Sequence, residues 1–89
     1  MNNDWFKIVY VVTGSEDGIL GVYGNKKAAY KEAMKYVNDG NTWRKADQKI
    51  MSYSKVCKEL KDVYNYSVEL IESYTDYNAS IHAVAYNKK

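Results

Sequence analysis

Residues 6–37 read FKIVYVVTGSEDGILGVYGNKKAAYKEAMKYV, and this stretch decides the fold. From Trp5 to Thr13 nearly every residue is β-branched or aromatic, which favours a strand. Apolar residues on both of its faces indicate a central strand. GSEDG at 14–18 predicts a turn, and ILGVY at 19–23 predicts the partner strand of a hairpin. Within it, Gly21 indicates a bulge or close packing against a helix.

The residues after the hairpin predict a helix. Asn25 is a good N-cap, and Ala29, Ala33 and Val37 recur at helical spacing to form an apolar stripe. Gly40 is a suitable residue to stop this helix just beyond its last turn.

Residues 47–64 predict a second helix, because Ile50, Tyr53, Cys57 and Leu60 step by three or four. The alternative is a short strand through 49–53, followed by a helix capped by Ser54. Alternation over five residues is weak, so a single helix is favoured.

Residues 66–74 alternate, with Tyr66, Val68 and Leu70 on one face and Ser67 and Glu69 on the other, and predict a strand. Residues 75–78 predict a turn, and SIHAVAY at 80–86 predicts the returning strand of a second hairpin. The fold class is therefore α+β: one domain, 1–89, with a four-stranded antiparallel sheet (two hairpins) and two helices on one face, in the order ββααββ. The opposite face of the sheet is predicted to carry Tyr, Glu, Ser and His and to be partly wet.

Composition limits the possible functions. The net charge of +2 comes from 13 basic and 11 acidic residues mixed along the chain, which is too balanced for a non-specific nucleic-acid binder. A single Cys excludes a disulfide framework and a Cys-rich zinc site, so no metal or cofactor is predicted. The polar N-terminal MNNDW does not resemble a signal peptide, and IVYVV is too short to cross a bilayer. A cytoplasmic protein without a membrane partner is expected.

Neither a catalytic nor a phosphate-binding motif is recognisable. Cys57, His82 and Asp62 are residue types found in thiol-dependent sites, but Cys57 lies in a helical stripe, where a thiol acts as a small hydrophobe. No enzyme is predicted. Lys26 and Lys27 follow a glycine at a helix start, which suits weak anion binding. Their spacing matches no phosphate-binding motif. The favoured interpretation is that the glycines form turns and that Asn25 caps the helix.

The candidate partner-binding residues lie in predicted connectors. They are Trp43, Arg44, Tyr74 and Tyr77, together with the acidic hairpin tip Glu16-Asp17. Trp, Tyr and Arg are enriched at binding hot spots. The alternative for Trp43 is a lid folded over the helix layer.

Residues 8–33, IVYVVTGSEDGILGVYGNKKAAYKEA, resemble the opening of small phage-encoded accessory proteins of the host-takeover or anti-defence type. The matching residues are Asp17, Gly18, Gly21, Val22, Tyr23 and Asn25. The Lys-, Asn- and Tyr-rich, proline-free composition is similar too. The resemblance implies a product that binds and inhibits a host enzyme or defence component. Because its matching positions build the fold, no site residue is carried over.

The sequence thus favours a non-enzymatic phage-type binding protein, acting in the host cytoplasm, that inhibits a host protein or defence component by direct binding. One alternative is a module that sequesters a small ligand such as a nucleotide signal in a pocket between protomers, with tyrosine walls and Lys26-Lys27 holding a base and a phosphate. Another is a weak nucleic-acid-binding protein. A homodimer is compatible with the first two, since a chain this small gains stability by burying more surface.

Overall fold

The computed structural model of the protein describes residues 6–40, 49–60, 65–72 and 76–87. Its elements run in the order β1 (Phe6–Gly14), β2 (Gly18–Tyr23), α1 (Lys26–Gly40), α2 (Tyr53–Leu60), β3 (Tyr66–Glu69) and β4 (Ala79–Asn87). The four strands form one antiparallel sheet in the spatial order β2-β1-β4-β3. The predicted α+β class, the antiparallel sheet and the order ββααββ are confirmed, and β1 is central as expected.

The first hairpin turns tightly and carries a bulge. Gly18 has a φ of 75°, a left-handed conformation that glycine adopts without strain. Farther along the strands, Val12 pairs with Gly21 and Thr13 pairs with Ile19, so Leu20 is the extra residue on β2. The bulge expected near Gly21 therefore lies immediately before it.

The core lies between the sheet and the two helices. On β1 and β4, Tyr10, Val12 and Ile81 face the helices and are buried. The helices contribute Ala29, Ala33 and Val37 from α1, and Val56 and Leu60 from α2, to the same cluster. The apolar stripe predicted for α1 is confirmed. Because both helices share one core with the sheet, they pack on the same face.

The two ends of α1 follow different rules. At its start, the Ala28 amide donates to Asn25 Oδ1 over 2.8 Å, so the predicted N-cap is correct. At its other end, Gly40 is still helical, and the prediction that it lies beyond the helix is wrong. Glycine is needed at position 40 for a different reason: a Cβ atom there would collide with the ring of Tyr77.

The single helix predicted over 47–64 is wrong for residues 49–52. Ile50 forms an antiparallel bridge with Ile71, and the Met51 amide donates to Leu70 O over 2.8 Å. This pairing satisfies the backbone of 50–51 without a helix. α2 then begins at Tyr53, where Ser52 Oγ accepts from the Lys55 amide over 3.2 Å. The alternative prediction, a strand followed by a helix, agrees better with the structure, although the helix is capped by Ser52 and not by Ser54. Residues 47–48 and 61–64 lie outside the described residues.

The strand predicted over 66–74 is shorter than expected. β3 ends at Glu69, and both Leu70 and Ile71 are buried, which breaks the alternation of a strand. The Leu70 amide still donates to Ala79 O on β4 over 2.9 Å, but Leu70 O accepts from the Met51 amide and Ile71 bridges to Ile50, so the pairing passes from β4 to residues 50–51. Val68 and Leu70 are buried, whereas Tyr66, predicted for the same face, is exposed. Residues 73–75 lie outside the described residues.

The face of the sheet away from the helices, called here the open sheet face, is more apolar than predicted. Its described residues are Lys7, Val9, Val11, Thr13, Ile19, Val22, Ser67, Glu69, Ser80, His82 and Val84. The polar residues Glu69, His82 and the serines are there as expected. Tyr10 and Tyr23 face the helices, Tyr86 pairs with Lys7 on β1, and five aliphatic side chains lie on the open sheet face.

Candidate functional site

The two hairpin turns meet at one end of the sheet. β1 and β4 are adjacent and antiparallel, so the end of β1 at Gly14 lies beside the start of β4 at Ala79. The Ser15 amide donates to Asn78 O over 2.9 Å, and Ser15 Oγ donates to Asp76 O over 2.7 Å. The Asn78 amide donates back to Ser15 Oγ over 3.0 Å. These bonds hold the first turn against residues 76–78.

Two tyrosine rings connect these turns to the last turns of α1. The Glu16 amide donates to Tyr36 Oη over 3.0 Å, and the centroids of the Tyr36 and Tyr77 rings lie 5.7 Å apart with the rings tilted by 51°. Glycine allows the close approach at two places. A Cβ atom at Gly14 would lie 2.5 Å from Tyr36 Cζ, and one at Gly40 would collide with Tyr77. The hairpin tip is therefore held against a helix.

The surface formed by Glu16, Asp17, Tyr36, Asp39 and Tyr77 is called here the acidic end. Beside it lies a recess of about 540 Å³, lined by Asp17, Glu32, Lys35, Tyr36, Asp39, Gly40 and Tyr77. Three carboxylates and one lysine line this recess. The ion pair between Lys35 Nζ and Asp39 Oδ2 measures 3.8 Å and is exposed, so it contributes little to the stability of the fold. The acidic end presents negative charge beside two aromatic rings, an arrangement that attracts Lys and Arg side chains.

Burial raises the pKa of the Tyr36 phenol above its usual value. The nearby Asp17 carboxylate raises this pKa further, whereas the hydrogen bond from the Glu16 amide lowers it. The neutral phenol is thus the form that the folded protein favours. Only this form can also donate a hydrogen bond to a carboxylate.

This pKa shift predicts a loss of stability at alkaline pH. Because the folded pKa is raised, the contribution of Tyr36 is fully present below the unfolded value of about 10 and is lost as pH rises through the folded value. Urea unfolding at a series of pH values from 8 upward measures this. We expect Tyr36→Phe to unfold more easily near pH 8, because it loses the Glu16 bond, but to lose less further stability above pH 10 than wild type. An alkaline decline as steep as that of wild type would contradict this role.

The structure brings together three of the six candidate partner-binding residues. Glu16 and Asp17 are exposed at the hairpin tip, and Tyr77 is half-buried beside them. Trp43, Arg44 and Tyr74 lie outside the described residues. Sequence reasoning missed Tyr36 and Asp39. The available signal was Tyr36, a large residue with a polar hydroxyl, next to the stripe of smaller apolar residues Ala29, Ala33 and Val37.

The two lysines at the start of α1 border a separate recess of about 330 Å³. It is lined by Ile8, Tyr10, Gly24, Asn25, Lys26, Lys27 and Tyr53. The hydrogen bond with Cys57 raises the pKa of the Tyr53 phenol above its usual value. The charge of Lys26 lowers this pKa, but by less. Lys26, Lys27 and two tyrosines therefore line one recess within a single chain, next to a capped helix N-terminus; the pocket between protomers stays a prediction.

Cys57 and His82 lie on opposite sides of the sheet. Cys57 is on α2, in the helix layer, and its neighbour is Tyr53. His82 is on the open sheet face, where its Nε2 lies 3.0 Å from Thr13 Oγ1 and its Nδ1 lies 2.8 Å from Ser67 Oγ. The two residues do not form a thiol–imidazole site, and Asp62 lies outside the described residues.

Among the residues that the structure describes, no three His, Cys, Asp or Glu side chains are grouped so as to hold a metal ion. No helix in the same part of the chain is both long and apolar enough to cross a membrane. Comparisons with family models, with curated proteins and with solved structures each find no significant match to this chain.

Proposed function

We propose that this chain is a non-enzymatic binding protein of the phage-encoded accessory type, which inhibits a host protein or defence component by covering part of its surface. One observation carries the proposal. Glu16, Asp17 and Tyr77, chosen from the sequence as partner-binding residues, lie together at the acidic end. They come from two different turns.

The way in which the acidic end is held supports a binding role. The Ser15–Asn78 bonds, the Glu16–Tyr36 bond and the Tyr36–Tyr77 contact fix the two turns against α1. A surface that is already ordered loses less conformational entropy when it binds. Exposed turns on an ordered scaffold are also where binding residues concentrate.

The chemistry of the acidic end indicates a basic partner surface. Carboxylates at Asp17, Glu32 and Asp39 outnumber Lys35 around the recess. Complementary charge accelerates association and disfavours partners of the same sign. Lys or Arg side chains of a partner would form ion pairs with the carboxylates and cation–π contacts with the faces of the tyrosine rings.

The test reverses charge at the hairpin tip. The tagged protein and the variant Glu16→Lys/Asp17→Lys are used to capture proteins from a host lysate, and captured species are quantified by mass spectrometry. We expect the variant to lose the captured protein by about tenfold or more, because two favourable charges become repulsive. Higher salt should weaken wild-type capture, since exposed charges are screened.

A matched control separates location from total charge. Glu59→Lys/Glu72→Lys makes the same change in net charge at two exposed residues away from the acidic end. This control should capture the partner as well as wild type does. Equal loss in both variants, or capture that is unaffected by the hairpin-tip reversal, would contradict binding through the acidic end.

The recess at the start of α1 favours a second candidate, the sequestering of a small anionic ligand. Its volume of about 330 Å³ lies at the lower end of the usual range for ligand sites. Lys26 and Lys27 offer positive charge, and Tyr53 offers an aromatic wall. Calorimetric titration with a panel of nucleotides tests this candidate. Heat of binding that disappears in Lys26→Ala/Lys27→Ala would support it, and no heat with any nucleotide would exclude it for that panel.

A further inference from the structure

A third recess, called here the α2 recess, lies where residues 49–52 and the start of α2 meet residues 70–72. Its volume is about 590 Å³, larger than either recess described above and within the usual range for small-molecule sites. Among the described residues, it shares no lining residue with the acidic end or with the recess at the start of α1. The α2 recess is therefore a separate feature of the molecule.

Part of the α2 recess is apolar. Ile50, Met51 and Leu70 line it. Leu70 is fully buried, whereas Ile50 and Met51 are half-buried and so keep accessible apolar surface. The unbranched, polarisable side chain of Met adapts to ligands of different shapes. Apolar lining with a few polar groups beside it is the usual composition of a site for an organic ligand.

The polar part of the α2 recess favours negative charge. Two lysines, Lys49 and Lys55, line it together with one carboxylate, Glu72. Both lysines are exposed, and neither forms an ion pair with any residue that the structure describes. Ser52, the cap of α2, also lines the recess, and the first amides of a helix carry partial positive charge. An anion would therefore gain more from these groups than a cation would.

The backbone beside the α2 recess is held by hydrogen bonds. The Met51 amide donates to Leu70 O over 2.8 Å, and Met51 O accepts from Tyr30 Oη over 2.7 Å. The next residue, Ser52, accepts at its O from the Val56 amide over 2.9 Å. A wall that is already ordered loses less conformational entropy when a ligand binds.

We propose that the α2 recess binds a small organic anion with an apolar body, such as an aromatic or alkyl carboxylate or sulfonate. The apolar body contacts Ile50 and Met51, and the anionic group pairs with Lys49 and Lys55. Ser52 Oγ accepts from the Lys55 amide, so its O–H can still donate to the anion. This ligand site goes beyond the proposed binding of a host protein, which uses the acidic end.

Two fluorescent probes with the same body test the proposal. Anilinonaphthalene sulfonate carries a negative charge, and phenylnaphthylamine is its neutral analogue. Wild type should bind the anionic probe with a dissociation constant of about 10–500 µM, the range expected for an open site and a ligand of this size. It should bind the neutral probe about fivefold more weakly or worse, because the ion pairs are absent. Equal affinity for the two probes, or no binding of the anionic probe up to about 1 mM, would overturn the proposal.

Charge variants locate the bound probe. Lys49→Ala/Lys55→Ala should weaken the anionic probe by about fivefold and leave the neutral probe unchanged, because only ion pairs are lost. Glu72→Gln should strengthen the anionic probe by about twofold, since it removes a repulsive charge. The matched control Lys31→Ala/Lys58→Ala removes the same charge at exposed residues that do not line the recess, and it should bind as wild type does.

Circular dichroism confirms that every variant is folded. Unchanged binding in Lys49→Ala/Lys55→Ala would overturn the site, and so would an equal loss in the control.

Competition tests the apolar part of the ligand. Decanoate should displace the anionic probe, whereas sulfate at the same ionic strength should not, because sulfate has no apolar body to contact Ile50 and Met51. Equal displacement by both would mean a site for simple anions and would contradict the proposal. Capture of a host protein by the acidic end is measured separately, so either proposal can fail while the other stands.

Discussion

Replacing Ile81 by alanine is expected to lower the free energy of unfolding by about 2–5 kcal/mol. Ile81 is fully buried in β4, and it pairs with Val12 on one side and Val68 on the other, both of which are buried. Truncation removes apolar contacts from both neighbouring strands and leaves a cavity at the centre of the sheet. The surrounding backbone is held by hydrogen bonds on both sides and cannot easily collapse into that cavity.

Such a loss is large for this protein. A chain of 89 residues has a free energy of unfolding of about 4–13 kcal/mol on the usual scale per residue. Ile81→Ala would therefore remove a considerable part of it. Urea unfolding followed by circular dichroism measures the change, with the slope against urea checked for two-state behaviour.

The matched control is Val84→Ala, three residues farther along the same strand and on the opposite face. Val84 lies on the open sheet face, so in dilute solution its truncation should cost about 1 kcal/mol or less. Comparing the two variants shows which face of the sheet is the core. Equal losses, or a greater loss for Val84→Ala, would contradict the helix-covered face as the core.

The part of the fold that the sequence predicts well is determined by local interactions. The turn at Gly18, the cap at Asn25 and the stripe through Ala33 all depend on neighbours within a few residues. Propensity, turn chemistry and helical spacing agree in this stretch. Such agreement between local rules and the global fold is what makes a stretch predictable.

The part that the sequence predicts poorly is determined by distant pairing. Ile50 and Leu60 fit a helical period, but Ile50 pairs with Ile71, more than twenty residues away. A short apolar period does not distinguish a bridge followed by a helix from one longer helix. The early end of β3 has the same cause, because the chain after Glu69 turns toward residues 50–51.

The candidate site follows the same division. Turn composition and residue type were enough to select Glu16, Asp17 and Tyr77 individually. Their meeting at one end depends on the adjacency of β1 and β4, which brings the two turns together. Tyr36 was missed because its role depends on a turn twenty residues earlier in the chain. Residue types were therefore enough to select the candidate residues, but their proximity follows from the strand order, which the sequence pattern does not give.

Asn78→Ala is expected to lower the free energy of unfolding by about 2–4 kcal/mol, although the residue is only half-buried. The side-chain amide of Asn78 bonds to the backbone N–H and C=O of Ile71, as the backbone of a neighbouring strand would. Asn78 Oδ1 accepts from the Ile71 amide over 3.0 Å and from the Ala79 amide over 2.9 Å, and Nδ2 donates to Ile71 O over 2.8 Å. Ile71 and Ala79 are buried, so truncation leaves their backbone groups without these partners.

Two further variants identify which of these bonds matters. Asn25→Ala makes the same truncation at an exposed helix cap with one bond and should cost about 1 kcal/mol. Asn78→Asp retains both acceptor bonds but sets a carboxylate oxygen against Ile71 O, so its cost combines the lost donor with the repulsion between two acceptors. Urea unfolding gives the three values, and hydrogen exchange at the Ile71 amide should accelerate most in Asn78→Ala. If Asn78→Ala costs no more than Asn25→Ala, water replaces the lost amide partners, and the side chain of Asn78 does not hold the second turn in place.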